Sequence, residues 1–214
     1  MLRRVYVWEW PVRLTHWVNF LTILVLSVTG YYIGNPILYA PPGYPFLMHT
    51  MRFIHLVAAY VFTISFFIRI YWAFMGNQYA RWGEFVPLTR KVWREIIDDV
   101  KYYLFLKKEH PHRVGHHALA ALTYLGLFFL FLLEIVTGFA LNSEGRYGFF
   151  ATLMGGWLLP YISSQTLRLY HHLFMWVVIA FVTFHIYIGW FIDIVEKNSI
   201  ITSIFTGYKT LDEA

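Results

Sequence analysis

Three histidines lie in one stretch of the chain that is apolar enough to cross a lipid bilayer. The stretch, LRLYHHLFMWVVIAFVTFHIYIGWF at residues 167–191, contains His171, His172 and His185 as well as Arg168. Ionisable side chains at membrane depth are costly, and by default they mark a functional site. Because imidazole nitrogens are common metal ligands, these residues suggest a metal centre held inside the membrane.

Helices must position these histidines, because lipid offers no partner for unpaired backbone groups. Four apolar segments have the roughly 20 residues needed to cross the hydrocarbon core, and they lie at residues 15–34, 52–75, 117–141 and 167–192. We therefore predict an all-α transmembrane four-helix bundle. Residues 1–214 would form a single integral-membrane domain.

The composition agrees with a membrane protein. Hydrophobic residues make up 58% of the 214 residues and charged residues 14%, whereas a soluble domain carries about 25% charged residues. The absence of cysteine excludes disulfides, thiolate-bound clusters, cysteine-ligated zinc and covalently attached c-type haem. A metal or cofactor must therefore be held by histidine or carboxylate, and the formal charge of +5 is better explained by membrane topology than by nucleic-acid binding.

Lysine and arginine are distributed unevenly about the predicted spans. Thirteen of them lie in residues 1–14, in the segment 76–116 and in the C-terminal tail, whereas the segments 35–51 and 142–166 contain only Arg146. The positive-inside rule therefore places both termini in the cytoplasm. The first and third spans would run outward, and the second and fourth would run inward.

This orientation matches the histidines in depth. In the fourth span His171 lies near the outer face, and His185 follows 14 residues later, within about 40° of the same helix face and about 21 Å deeper. His55 begins the second span at the depth of His171, and His16 begins the first span at the depth of His185. We call His55 and His171 the outer pair, and His16 and His185 the inner pair.

Paired histidines on facing helices of an apolar bundle suit the axial ligation of haem b. The sequences RLTH, RFIH and RLYH each place an arginine three residues, about one helical turn, before a histidine, where its guanidinium could bind a haem propionate. The candidate propionate ligands are Arg13, Arg52, Arg168 and, near the inner end of the second span, Arg69. Gly30 and Gly138 would let a macrocycle approach the helix backbone, although they could equally be helix-packing contacts.

Other interpretations of the polar residues remain open. A di-iron or zinc site could combine the tract HPHRVGHH at residues 110–117 with His171 and His172, but the charge distribution puts these groups on opposite sides of the membrane. A small transporter could use the polar residues as a pathway, and a pure membrane anchor could have degenerate sites. Neither accounts for four histidines in depth-matched pairs. Glu134 in the third span is either a proton-relay carboxylate or a group bonded to a neighbouring helix.

The chain resembles the b-type cytochrome subunit of membrane-bound nickel–iron hydrogenases, and it is more distantly similar to the cytochrome subunit of respiratory formate dehydrogenases. The resemblance is carried by VYVWEWPVRLTHWVN, SVTGYYIGNP, MRFIHLVAAYVF, GHHALAAL, EIVTGFAL and LRLYHHLFMWVVIAFVTFHIYIGW. It implies a four-helix membrane anchor with two b haems, one held by each histidine pair.

The resemblance also implies partners and an electron acceptor. The chain would anchor the iron–sulfur small subunit and the nickel–iron large subunit of an outward-facing hydrogenase in the cytoplasmic (inner) membrane of a bacterium or archaeon. Electrons from H₂ would pass through the outer and inner haems to a membrane quinone, which would make the chain an electron-transfer subunit of a hydrogen:quinone oxidoreductase. A formate dehydrogenase-like complex is the alternative partner.

One segment departs from the pattern of the family. A segment that usually reads GHNPLA is GHHALA here, at residues 115–120. The related loop of the formate enzymes lines the quinone pocket, and the candidate quinone residues of this chain are therefore Gly115, His116 and His117.

Overall fold

A computed structural model of the protein describes residues 2–36, 46–84, 90–104, 106–107, 118–145, 148–196 and 199–212. The helices are α1 (Trp10–Gly34), α2 (Leu47–Met75), α3 (Arg90–Tyr103), α4 (Ala118–Asn142), α5 (Phe149–Leu153), α6 (Ser164–Glu196) and α7 (Ile200–Thr206). The strands are β1 (Leu2–Tyr6) and β2 (Tyr208–Asp212), and short 3₁₀ turns occupy Trp82–Glu84 and Gly156–Leu158. The chain is mostly helical, as predicted.

In the part of the chain that the structure describes, the four helices α1, α2, α4 and α6 are long and apolar enough to cross a membrane. They correspond to the four predicted spans. Three of them begin three to five residues before the predicted span, because helical hydrogen bonding continues into the interfacial residues beyond the apolar run. In the most apolar window of α6 only 6% of the residues are buried, which leaves its apolar side chains available to lipid.

The chain forms two compact units, and each of the four long helices contributes to both. The first unit comprises Met1–Trp17, Phe66–Phe128 and His185–Ala214, and the second comprises Val18–Ser65 and Phe129–Phe184. The inner pair of histidines belongs to the first unit and the outer pair to the second. Each candidate site can therefore be described within one unit.

In the first unit the two ends of the chain form an antiparallel ribbon. β1 and β2 pair in register from Leu2 opposite Asp212 to Tyr6 opposite Tyr208. The all-α prediction missed this ribbon, because nearly the whole chain separates its two strands and no hairpin turn signals the pairing. The ribbon holds both ends of the chain on the same side of any membrane that the four helices cross.

A small buried cluster supports the ribbon, and its members are Val7, Trp8, Val12 and Ala80. The indole Nε1 of Trp8 donates a hydrogen bond to Ser203 Oγ at 3.0 Å. Helix α7 ends at Thr206, and the residue that follows it, Gly207, has a φ of 89°. A Cβ at this position would lie 2.7 Å from the carbonyl oxygen of Trp8, so the turn from α7 into β2 requires glycine.

The carboxylate of Glu9 joins the start of α1 to the end of α2. Its Oε2 accepts a hydrogen bond from Trp72 Nε1 at 2.8 Å and another from the backbone N–H of Asn77 at 2.7 Å. Asn77 in turn donates from Nδ2 to the carbonyl oxygen of Val7 at 3.0 Å. One carboxylate thus satisfies two partly buried donors in the same unit.

We expect Glu9→Ala to lower the free energy of unfolding by about 1–3 kcal/mol, because both donors lose their acceptor. The melting temperature of the purified protein in detergent measures this loss. Glu144→Ala is the control, because Glu144 is exposed and the ion pair that it forms with Arg168 at 2.7 Å is exposed too. Equal melting temperatures for the two variants would contradict the expectation.

Candidate haem-binding site

The outer pair brings α2 and α6 together within the second unit. The ring centres of His55 and His171 lie 6.4 Å apart, and the ring planes are inclined by 74°. Both side chains are partly buried. The sequence predicts that these two histidines lie at the same depth, and in the structure they are neighbours.

Threonine hydroxyls orient both rings of the outer pair. Thr29 Oγ1 lies 2.8 Å from His55 Nδ1, and Thr137 Oγ1 lies 2.9 Å from His171 Nδ1. Each hydroxyl donates its single hydrogen to the backbone carbonyl four residues earlier, at 2.7 Å. Each therefore accepts a hydrogen bond from Nδ1–H of the histidine. This leaves Nε2 as the unprotonated nitrogen that can bind a metal.

Neither threonine was predicted from the sequence to belong to the site. They stand in the same place in the two segments SVTGYYIG and EIVTGFAL, in which the tripeptide VTG is repeated. The sequence therefore did contain an indication of their role, because threonine as well as glycine occurs in both tripeptides. The hydrogen bonds to histidine give the repeated threonine a physical reason.

The glycines of the same tripeptides lie against the histidine rings. A Cβ on Gly30 would lie 3.1 Å from His55 Cε1, and a Cβ on Gly138 would lie 3.0 Å from His171 Cε1. Both distances are tighter than an ordinary van der Waals contact. Each glycine therefore makes room for a ring of the outer pair, and contact of the glycines with a macrocycle stays a prediction.

We expect Gly30→Ala and Gly138→Ala each to weaken haem binding at the outer pair by about tenfold, because the added methyl group displaces an imidazole that must be held in place. The rate at which the purified protein transfers haem to excess apomyoglobin measures this effect. Gly126→Ala on α4 is the control, since a Cβ there meets nothing within 4 Å. The same transfer rate in all three variants would contradict the prediction.

Glu134 on α4 gives His171 a second acceptor. Its Oε2 lies 2.6 Å from His171 Nδ1, so the ring N–H is shared between the carboxylate and Thr137. Its Oε1 is buried and has no hydrogen-bond partner among the described residues. Of the two roles considered for Glu134, contact with a neighbouring helix is the one observed. The position equivalent to Glu134 in the first VTG segment is Leu26, so the two rings of the outer pair have different surroundings.

The inner pair joins α1 and α6 within the first unit. The ring centres of His16 and His185 lie 6.2 Å apart, with the planes inclined by 54°. His16 also packs edge-on against Trp17 at 5.3 Å, and His185 packs edge-on against Tyr124 at 6.0 Å. Among the described residues the buried Nδ1 of His16 has no hydrogen-bond partner. Such a buried nitrogen without a partner is uncommon in proteins.

Both ring separations suit an iron ion bound between the two imidazoles. A metal bonded to one nitrogen of each ring at about 2.0–2.1 Å would separate the ring centres by roughly 6–6.5 Å. The observed separations of 6.2 Å and 6.4 Å lie in this range. Two imidazoles also complete the axial ligand set of a haem. The residues present therefore fit this cofactor at both pairs.

The rival metal site finds no support in the described part of the chain. No group of three or more histidine, aspartate or glutamate side chains there is arranged to hold a metal ion. The tract at residues 110–117, on which a di-iron or zinc site would depend, lies outside the described residues. The same holds for the candidate quinone residues Gly115, His116 and His117.

Two of the candidate propionate ligands belong to the second unit. Arg52 is exposed. Arg168 is exposed as well, and its Nη2 donates a hydrogen bond to Glu144 at 2.7 Å. Hydrogen bonds from Ser164 and Arg168 lower the pKa of Glu144, which lies beyond the end of α4. The predicted role of both arginines at a propionate stays a prediction, and Arg168 would have to exchange or share its present carboxylate partner.

The other two belong to the first unit. Arg13 donates a hydrogen bond from Nη1 to the backbone carbonyl of Phe205. Arg69 is buried, and its guanidinium lies 5.8 Å from the ring centre of Phe128. Its Nη1 is also 3.5 Å from the carbonyl oxygen of Ala80. The role of Arg69 at a propionate likewise stays a prediction.

Comparison with known proteins places this chain in a family. The family described as prokaryotic cytochrome b561 matches residues 7–207. A probable Ni/Fe-hydrogenase B-type cytochrome subunit of Cupriavidus necator is 41% identical, over 99% of this chain and 89% of the relative. A protein of the same description from Azotobacter vinelandii is 42% identical, over 96% of this chain and 88% of the relative.

A third relative extends the match. The probable Ni/Fe-hydrogenase 1 B-type cytochrome subunit of Escherichia coli K12 is 37% identical, over 96% of this chain and 90% of the relative. The alignments with these relatives cover 96–99% of this chain, and the family match over residues 7–207 spans all four long helices. The chain therefore belongs to the prokaryotic cytochrome b561 family, among the B-type cytochrome subunits of nickel–iron hydrogenases.

Proposed function

We propose that this chain is a di-haem cytochrome b that anchors a periplasm-facing nickel–iron hydrogenase and conducts its electrons to a membrane quinone. Membership of the family implies b-type haem and a hydrogenase complex. The observation that carries the proposal is the presence of two histidine pairs, one in each compact unit, with ring centres 6.4 Å and 6.2 Å apart. Bound haem supplies a one-electron iron couple.

The residues of the chain hold and orient the cofactor. Thr29 and Thr137 keep both rings of the outer pair in the tautomer that leaves Nε2 free, and Glu134 adds a carboxylate behind His171. Hydrogen-bonded carboxylates and hydroxyls behind a ligating imidazole fix its orientation and raise its basicity. The apolar outer surfaces of the four long helices surround these polar groups with lipid rather than water.

The dithionite-reduced minus oxidised spectrum of the purified protein, with extracted haem counted per chain, tests the cofactor content. We expect a b-type spectrum and two haems per chain. A single haem would refute the di-haem part of the proposal. Protein that contains no haem, although it was expressed with haem supply and its partners, would refute electron transfer and favour the transporter alternative.

The partners are a hydrogenase small subunit with iron–sulfur clusters and a large subunit with the nickel–iron centre. Purification of the tagged chain from native membranes should recover both. Addition of H₂ to this complex should reduce the haems and then a membrane quinone. Recovery of formate dehydrogenase subunits instead would favour the alternative complex, and haems that are reduced by H₂ but not reoxidised by quinone would contradict the acceptor.

We place the chain in the cytoplasmic membrane of a bacterium or archaeon, with both termini in the cytoplasm. The excess of lysine and arginine on one side supports this orientation, and the pairing of β1 with β2 requires both ends to lie on one side. Green fluorescent protein fused to the C-terminus should therefore fluoresce, and alkaline phosphatase fused there should be inactive. The opposite pattern would contradict the orientation.

A further inference from the structure

Helix α3 follows α2 and precedes α4 in the sequence. It has three distinct faces. One face packs against the protein, where Ile96 and Asp99 are buried. Asp99 Oδ2 accepts a hydrogen bond from the backbone N–H of Leu119 at 3.0 Å. This contact satisfies a donor in the first turn of α4 and attaches α3 to the start of that helix.

A second face carries apolar side chains that stay exposed. Trp93, Ile97 and Val100 on α3, and Leu104 directly after its last residue, are between 38% and 61% exposed. At 100° per residue, these four positions project within about 60° of one another. They form one continuous stripe along the helix, which we call the apolar stripe. Exposed apolar side chains that align in this way indicate a surface that contacts another molecule or a membrane.

A third face carries cations next to the apolar stripe. Arg90, Arg94 and Lys101 are exposed, and they project within about 40° of one another. On the far edge of this face, Asp98 forms an ion pair with Lys107 at 3.1 Å. An apolar stripe flanked by basic residues is typical of a helix that lies in the plane of a membrane interface.

The position of α3 in the chain favours lipid as the covering partner. It follows α2, which ends at Met75, and precedes α4, which begins at Ala118, and both of these helices are long and apolar enough to cross a membrane. The contact between Asp99 and Leu119 holds α3 at the end of a spanning helix, where the bilayer surface lies. Basic side chains at this level attract anionic lipid headgroups, and tryptophan favours the same region.

We propose that α3 inserts its apolar stripe into the headgroup region of the bilayer, with Arg90, Arg94 and Lys101 bound to anionic lipid headgroups. The helix then fastens the segment between the second and third spans to the membrane surface. The proposal concerns lipid alone and does not depend on haem or on quinone. Its failure would therefore leave the proposed electron transfer unaffected.

The chain contains no cysteine, so single cysteines can report on each face without a background. Ile97→Cys and Val100→Cys probe the apolar stripe, and Asp98→Cys is the control on the far edge of the charged face. Each full-length variant is labelled with a nitroxide and reconstituted into phosphatidylglycerol-containing vesicles. Power-saturation electron paramagnetic resonance then compares collisions with oxygen, which concentrates in lipid, and with a water-soluble nickel chelate. Unchanged haem content and melting temperature verify that each variant folds.

We expect oxygen to dominate severalfold at residues 97 and 100 and the nickel chelate to dominate at residue 98. Equal access of the nickel chelate to all three positions would overturn the proposal. Protection of residues 97 and 100 that appears only when hydrogenase subunits are added would also overturn it, because the covering partner would then be a protein.

A second set of variants tests the role of charge. Replacement of Arg90, Arg94 and Lys101 by glutamine, in the Ile97→Cys background, should reduce the protection of residue 97 severalfold in phosphatidylglycerol vesicles. The same replacement should change little in vesicles of phosphatidylcholine alone. Equal protection of the charged and neutralised proteins in phosphatidylglycerol would refute the binding of anionic headgroups.

Discussion

Replacement of His55 by alanine should remove one of the two proposed haems and leave the other bound. The reason is that His55 belongs only to the outer pair, whose residues lie in the second compact unit, whereas His16 and His185 lie in the first. Haem extracted per chain should fall from two to about one, and the reduced-minus-oxidised absorbance should fall by about half. His16→Ala should also leave one haem, but at the outer pair, so its midpoint potential should differ from that of the haem that His55→Ala retains.

His172→Ala is the matched control, because His172 follows the ligand candidate His171 directly but belongs to neither pair. Its Nδ1 lies 2.8 Å from the carbonyl oxygen of Arg168, one helical turn earlier, and we expect this variant to keep both haems. Loss of one haem in His172→Ala and not in His55→Ala would reassign the ligands of the outer pair. Loss of both haems in His55→Ala would show that the two sites do not fill independently.

Glu134→Gln should raise the midpoint potential of the haem at the outer pair and leave the inner one nearly unchanged. The carboxylate accepts a hydrogen bond from His171 Nδ1 at 2.6 Å, and a carboxylate in this place makes the imidazole a stronger donor, which favours the oxidised iron. Glutamine keeps the shape and removes the charge. We expect about a tenfold change in the ratio of oxidised to reduced haem at a fixed potential, or about 59 mV for one electron.

Redox titration of the purified protein, followed in the visible spectrum, measures this shift. Asp98→Asn is the control, because it removes a carboxylate that pairs with Lys107 rather than with histidine. A carboxylate with a merely structural role would affect the melting temperature and not the potential. Equal potentials in Glu134→Gln and in the unchanged protein would therefore exclude a tuning role for Glu134.

The membrane-spanning helices could be predicted from the sequence, because each depends on the residues of a single continuous segment. The four long helices follow from apolar runs of sufficient length, and the structure contains a helix at each of them. The ribbon was not predictable in this way, since β1 and β2 are five residues each and only the folded helices bring them together. The surface helix α3 was missed because its apolar residues are spaced among charges and do not form a run.

The candidate site likewise has features that could be predicted from the sequence and features that could not. The pairing of His55 with His171 and of His16 with His185 followed from helix direction and depth, which a sequence supplies. The hydrogen bonds behind the rings could not be predicted from the sequence. His171 Nδ1 lies 2.6 Å from Glu134 Oε2 and 2.9 Å from Thr137 Oγ1. These contacts depend on how each helix is rotated about its axis, and in lipid the spacing of apolar residues does not fix that rotation. Gly30 and Gly138 were predicted to lie at the site, and the threonine that precedes each of them makes the hydrogen bond to histidine.

The ribbon between β1 and β2 has a consequence for the order of events during synthesis. At about 5–20 residues per second, the ribosome would finish β1 roughly 10–40 s before β2. Until then β1 is a strand with an unpaired edge, which tends to pair with other chains. Closure of the ribbon from Leu2 to Asp212 can follow only after the four long helices have been made, so a closed ribbon marks a chain in which all four are present. A chain that stops before Tyr208 can never close it.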